Sequence, residues 1–180
     1  GTDPTVADSD GDNHLDGAEF AQGTDPLDPE DHPYHGGWEI NGECRDSVSG
    51  NVGSAVGDTA GNFALVDQHG DRVKLHDFCG QVVVLKRSTG WCGACRGSEA
   101  AYADLYKEFA GQGYMAITLL SETDARGEVP DGEFLEGWAS QYGAEHAVVA
   151  DDEGAGGIYE KDGGIPSYVV IAPGMELHAV

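Results

Sequence analysis

Trp91-Cys92-Gly93-Ala94-Cys95-Arg96 follows the aliphatic run Val82-Val83-Val84-Leu85 and precedes Gly97 to Phe109, whose apolar residues have helical spacing. Strand, abrupt turn and helix in that order demand a β-α unit, with both sulfurs where the helix begins. Two thiols one turn apart can close into a disulfide and reopen. A Cys-x-x-Cys in this setting is a redox site more often than anything else, so the motif points to thiol–disulfide exchange. A zinc reading would need two further ligands nearby, and no second Cys-x-x-Cys or His-x-x-x-His supplies them.

The 180 residues suffice for one ordinary domain and an appendage. Against 33 Asp and Glu stand 9 Lys and Arg, a formal charge of −24. That field repels nucleic acid and anionic membranes, and it favours divalent cations, basic partners or a salty medium. No apolar run approaches the ~20 residues of a membrane span, and no signal peptide is present. Gly1-Thr2-Asp3-Pro4 reads as the middle of a repeat, so a mature or trimmed chain is expected, and any membrane tether would lie upstream of it.

The remaining cysteines are Cys44 and Cys79, which could pair with each other. Four cysteines allow three connectivities, so spacing alone leaves the bridge open; a structural disulfide would imply an oxidising compartment.

Asp8-Ser9-Asp10-Gly11-Asp12-Asn13-His14-Leu15-Asp16-Gly17-Ala18-Glu19 has the pattern of a calcium loop. Asp8, Asp10, Asp12, Asp16 and Glu19 occupy positions 1, 3, 5, 9 and 12, and His14 at position 7 would offer its carbonyl. Asn13 stands where such loops carry Gly, and Asn tolerates a left-handed backbone. Gly-Thr-Asp-Pro recurs at Gly1 and Gly23. Together these features resemble the thrombospondin type 3-like calcium repeats of secreted and surface-attached bacterial proteins. The resemblance covers residues 1–31 and implies bound calcium and a stiff spacer. Leu27-Asp28-Pro29-Glu30-Asp31-His32 lacks the Asp-x-Asp-x-Asp run, so no second complete site is expected. Residues 32–55 read as linker and extension; His32 and His35 could hold a transition metal, but beside Pro and Gly such a pair reads as loop.

Beyond Trp38 short strands and helices alternate. Phe63 to Val66 and Arg72 to Leu75 predict a hairpin across Gln68-His69-Gly70-Asp71. Val82 to Arg87 predicts a buried strand, Ser98 to Gly111 a helix, Tyr114 to Leu120 a strand and Phe134 to Tyr142 a second helix. Ala147 to Ala150 is extended, Ile158-Tyr159 sits in a short helix, and Ser167 to Ala172 with Glu176 to Val180 form a final hairpin.

Gly57-Asp58, Phe63-Ala64-Leu65, Leu75-His76-Asp77-Phe78-Cys79-Gly80, Trp91-Cys92-Gly93-Ala94-Cys95 and Gly164-Ile165-Pro166 occur in that order. Residues 56–180 thereby resemble the extracytoplasmic thioredoxin-like proteins of the TlpA/ResA type, within the wider AhpC/TSA-like group. The resemblance implies an α/β thioredoxin-like fold, a central mixed sheet flanked by helices, and extracytoplasmic disulfide exchange with protein substrates and a redox partner, without an organic cofactor. It makes Cys92 the attacking thiol and Cys95 the resolving one, with Trp91 beside the sulfurs. It also implies a cis Ile165–Pro166 bond against the disulfide. Cys92 is expected exposed and Cys95 shielded.

Two departures stand out. Thioredoxin carries a buried Asp six residues before the first cysteine; here that position is Lys86, so a carboxylate base is expected to be missing. Lys86 would favour the Cys92 thiolate or else snorkel to solvent. The helix that usually ends the fold is not found before Val180, so either the chain is cut there or a partner or another segment is expected to cover that sheet face. Two other functions compete. Thr89-Gly90-Trp91-Cys92 matches the Thr-x-x-Cys of peroxiredoxins, which suggests a thiol peroxidase; a calcium-stabilised surface scaffold with a non-catalytic domain is the other reading.

Overall fold

The computed structural model describes residues 1–159 and 163–180. Chain order is α1 (Asp16–Gln22), α2 (Gly42–Ser47), β1 (Ala64–Val66), β2 (Arg72–Lys74), β3 (Val82–Ser88), α3 (Gly93–Phe109), β4 (Tyr114–Leu120), α4 (Gly132–Tyr142), β5 (Ala147–Ala150), β6 (Ser167–Ile171) and β7 (Leu177–Ala179). Short 3₁₀ turns at Leu75–Phe78, Ala110–Gln112 and Ala155–Tyr159 join them.

The main sheet has the order β5-β4-β3-β6-β7, and β1 and β2 form a separate hairpin. β3 is central, parallel to β4 and antiparallel to β6, so the sheet is mixed. Successive side chains on a strand point to opposite faces. Val83, Leu85, Met115, Ile117, Leu119 and Val149 therefore enter one apolar cluster, while Leu120, Val148 and Ala150 meet Leu135 and Trp138 of α4 on the other face.

α3 begins at Gly93, directly after Cys92, several residues earlier than the apolar periodicity predicts. Its first turn carries no apolar stripe because that turn belongs to the sulfur site. α4 is capped by the Asp131 side chain, which accepts from the Phe134 N–H at 2.9 Å.

Within residues 32–55, read as linker and extension, the stretch from Tyr34 to Val48 packs against the domain. Tyr34, Trp38 and Ile40 lie in the same apolar cluster as Phe63, Phe78 and Val83. This aromatic segment and the β1–β2 hairpin cover the sheet face opposite α3 and α4. Burial of these rings outweighs the Pro and Gly signals around them. The acidic segment is not a detached spacer. Arg45 of α2 donates to Asp31 and to Asp77, both at 3.0 Å, and Lys74 donates to Asp31 at 2.9 Å. Asp31 is thereby occupied by cationic side chains, while Tyr34 donates to the other oxygen of Asp77.

Candidate functional site

β3 ends at Ser88, and the chain turns through Thr89, Gly90 and Trp91 into α3. A side chain at position 90 would collide with the backbone of Thr123 and Asp124 and with the Phe134 ring, so only glycine lets the turn close here. Cys92 is the N-cap of α3, and its sulfur accepts from the Cys95 N–H at 3.1 Å. Cys92 and Cys95 are joined as a disulfide with Cα atoms 5.2 Å apart. Helix N-terminal N–H groups and the helix dipole stabilise negative charge, so the opened Cys92 sulfur is favoured as thiolate.

The register Arg87↔Ser167 between β3 and β6 brings the loop before β6 to the same sheet end. The Ile165–Pro166 bond in that loop is cis, and the Ile165 carbonyl oxygen lies 3.8 Å from Cys92 Sγ. Residues separated by most of the domain in sequence thus meet across one short gap. Cys95 is fully buried, but Cys92 is only 7% exposed, less open than the sequence reading expects. Its sulfur is turned inward onto the helix terminus, with the Ile165 carbonyl nearby.

Lys86 requires correction. It neither snorkels nor lacks a carboxylate: its side chain is fully buried, and its ammonium donates to Glu99 and to the Cys95 carbonyl, the latter at 3.1 Å. Glu99 sits one turn beyond Cys95 on α3 and is equally buried. The Thr118 hydroxyl donates to Glu99 at 2.7 Å and lies 3.0 Å from His146 Nε2. Since that hydroxyl donates to Glu99, it accepts from His146 Nε2–H, which leaves Nδ1 as the lone-pair nitrogen. Burial pushes the Glu99 carboxyl up, but hydrogen bonding with His146, the Lys86 charge and the remaining hydrogen bonds outweigh it and hold the group down at about 2. Burial holds His146 below its ordinary value despite Glu99, and it also lowers Lys86. Glu99, Thr118 and His146 went unread in the sequence. The usable signal was Lys86 itself, since a lysine inside a buried strand needs a counter-charge.

At the rim, Trp91 donates its indole N–H to Glu122, and the Arg126 guanidinium stacks 3.7 Å above its ring. Arg96 donates to the Gly90 carbonyl at 2.5 Å and pairs with Asp124. Next to this pair opens a cleft of about 420 Å³ lined by Arg96, Asp124, Phe134, Trp138 and Gln141 among others. A disulfide at a helix mouth, a facing peptide carbonyl and an adjoining cleft suit exchange with an extended polypeptide.

Residues 56–179 match the family model of the AhpC/TSA family. The chain belongs to the AhpC/TSA family. It is 28% identical over 105 residues to the thiol-disulfide oxidoreductase ResA of Bacillus subtilis (strain 168). That match covers 58% of this chain and 55% of ResA, so the chain spans about half the length of this curated relative. Among solved structures, it is similar to a candidate thiol:disulfide interchange protein DsbE from Chlorobium tepidum, at 25% identity and TM-score 0.59, covering 69% of this chain and 83% of that one. A thiol:disulfide interchange protein from Bacteroides sp. matches at 20% identity and TM-score 0.57, covering 69% and 80%. The fold of this AhpC/TSA chain is thioredoxin-like, mixed α/β with a central mixed sheet flanked by helices.

The acidic loop lies outside the AhpC/TSA match. Asp8 accepts from the Gly11 and Asn13 N–H groups at 2.7 and 3.1 Å, Asp10 from Asp12 at 3.3 Å, and Asp12 from His14 at 2.7 Å. Asn13 takes the left-handed conformation, φ 77°. Ser9 occupies the Asp16 carboxylate through its N–H and hydroxyl, both at 2.7 Å. Ligand oxygens of Asp8, Asp10 and Asp12 lie within 4.8 Å of one another. Both Glu19 oxygens, Asp10 Oδ2 and Asp12 Oδ2 are buried and take no hydrogen bond from the protein. Burial, then repulsion from Asp10, Asp12, Asp16 and Asp8, raises Glu19 to about 7. Converging carboxylate oxygens without protein donors fit a hard dication of calcium's kind. Cys44 and Cys79 are joined as a disulfide, with Cα atoms 5.5 Å apart.

Proposed function

We propose that this chain is an extracytoplasmic thiol–disulfide oxidoreductase acting on disulfide-containing proteins through Cys92 and Cys95. The observation that carries this reading is the sulfur pair at the start of α3, faced by the Ile165 carbonyl. The Cys92 thiolate attacks one sulfur of a substrate disulfide; a mixed disulfide forms and a substrate thiolate leaves. Cys95, having lost its proton, attacks Cys92 Sγ, and the second substrate thiolate departs. The protein dithiol is oxidised by two electrons, the substrate disulfide gains them, and both protons end on the substrate thiols. A redox partner must then return two electrons to Cys92–Cys95. Trp91 and the Ile165–Pro166 loop would border the bound segment. Lys86 would act through Glu99 and the Cys95 backbone rather than directly on Cys92.

The Cys44–Cys79 bridge, half-buried at Cys44 and buried at Cys79, supports an oxidising compartment. Among the described residues no helix is long and apolar enough to cross a membrane. Calcium in the loop of Asp8, Asp10, Asp12, His14, Asp16 and Glu19 would hold α1 in place by neutralising converging charge, a structural role. The partnerless oxygens of Glu19 support that assignment.

Turnover of insulin disulfides by the protein with a small dithiol tests the reading. Activity should vanish in Cys92→Ser and survive in the double variant Cys44→Ser/Cys79→Ser. Hydrogen peroxide consumption without insulin reduction would favour the thiol peroxidase, and failure in both assays would favour the scaffold.

A further inference from the structure

The calcium loop and the segment that follows it place three imidazoles side by side. His14 stacks on His32 with ring centroids 4.8 Å apart and nearly parallel planes. The His35 ring lies 5.6 Å from His14 and 6.2 Å from His32, edge-on to both. One ligand atom each from Asp12, His14 and His32 lies within 4.8 Å of the others. We propose that His14, His32 and His35, with the Asp12 carboxylate, form a transition-metal site for zinc-class ions at the seam between the acidic loop and the thioredoxin-like domain.

The ring nitrogens support this. His35 Nδ1 lies 2.7 Å from Asp71, a nearly buried carboxylate in the β1–β2 turn. His32 Nδ1 lies 3.2 Å from the Pro33 carbonyl oxygen. In both rings an acceptor engages Nδ1–H, so in the neutral ring Nε2 carries the lone pair. Histidines that ligate metals are oriented in this way, with the second nitrogen donating to a carboxylate or a backbone carbonyl. Asp12 Oδ2 is buried and takes no hydrogen bond, which gives the set an available oxygen.

Donor chemistry separates this site from the calcium loop. Hard dications take oxygens, whereas imidazoles with one carboxylate suit Zn²⁺, Co²⁺, Ni²⁺ or Cu²⁺. Zinc bonds of about 2.0–2.2 Å can reach Asp12, His14 and His32, whose ligand atoms lie within 4.8 Å of one another, after rotamer adjustment, and His35 completes the set by a larger turn of its ring. Asp12 belongs to both groups and can bridge the two ions. The site draws its ligands from the acidic loop and the connecting segment, and through Asp71 it leans on the β1–β2 turn. An ion here would pin the loop to the domain.

The test uses Co²⁺ as a spectroscopic stand-in for zinc, added to the full chain in saturating calcium with Cys92–Cys95 oxidised. One equivalent should give the strong visible bands of a four-coordinate ion, displaced by Zn²⁺. His14→Ala and His32→Ala should each weaken Co²⁺ binding by about tenfold or more, and His178→Ala should not. In wild-type protein, equimolar Zn²⁺ should shift the proton resonances of the His14, His32 and His35 rings and leave His69, His76 and His178 unmoved. That readout needs no variant and so holds if a substitution unfolds the loop. Unchanged Co²⁺ binding in His14→Ala/His32→Ala, or zinc shifts confined to other histidines, would overturn the proposal.

Discussion

Lys86 and Glu99 are both fully buried, and each is tolerable only because of the other. Removing one partner leaves an unpaired charge behind the sulfur site. Lys86→Met should therefore cost about 3–5 kcal/mol in urea unfolding, and Lys86→Met/Glu99→Leu should recover much of it. If the single variant costs nothing, the pair is not formed in solution. The same cluster sets an acid response. Glu99 is held at about 2 against an ordinary 4.5, so its contribution is full above 4.5 and is lost as pH falls toward 2. His146 is held below its ordinary 6.5, so under acid the unfolded chain takes up a proton that the folded one resists. Both effects have one sign, so this cluster's contribution to the urea midpoint should fall as pH drops below about 6.5, against the opposite contributions of Glu19 and His35, which are raised. Glu99→Gln should flatten the part of that decline below about pH 4.5. At this scale the cysteines were legible from residue type and local spacing, and Pro166 through the family resemblance. Glu99 and His146 were not, because a helix Glu and a loop His become partners only when β4 and α3 pack.

Among the elements, the segment from Tyr34 to Val48 differs most from its sequence appearance. Histidine, proline and glycine suggest a connector, yet Trp38 donates its indole N–H to the Glu145 carbonyl at 2.9 Å from a buried position. α2 is only six residues long and would not persist alone. It is held by the Asn41 cap, the Arg45 ion pairs and the Cys44–Cys79 bridge, which spans 35 residues. Closing a loop of that length restricts the unfolded chain, so Cys44→Ala/Cys79→Ala should cost about 3–4 kcal/mol in calorimetry or urea titration. An unchanged midpoint would mean that packing alone secures α2. Strands and main helices were readable because period 2 and period 3.6 are properties of a single segment. Apolar periodicity alone begins α3 late, because its first turn carries the sulfur site rather than an apolar stripe, although the Cys-x-x-Cys marked Cys92 as the helix N-terminus.

The whole molecule carries a charge of −24, much of it near the N-terminus. Self-repulsion on this scale opposes the compact state. Raising NaCl from ~0.01 to ~1 M shortens the screening length from ~30 to ~3 Å, and Tm should rise by several degrees. Calcium should act differently, at concentrations too low to screen. Chelation should lower Tm, and magnesium at equal concentration should restore little, since it dehydrates reluctantly and prefers a smaller octahedral site. Equal rescue by both ions, or by salt alone, would remove the specific site and leave only diffuse charge.

Neighbouring residues alone set the β-α junction that holds Cys92 and Cys95, the order of strands and helices from β1 onward, and the spacing of carboxylates in the acidic loop. Each is written in neighbouring residues, so local geometry suffices to express it. Tertiary structure alone decided that Lys86 answers to Glu99, that Tyr34 and Trp38 cover a sheet face, and that His14 reaches His32 and His35. Those contacts join residues distant along the chain, and they form only when burial of apolar surface draws the polar groups of separate elements out of water together.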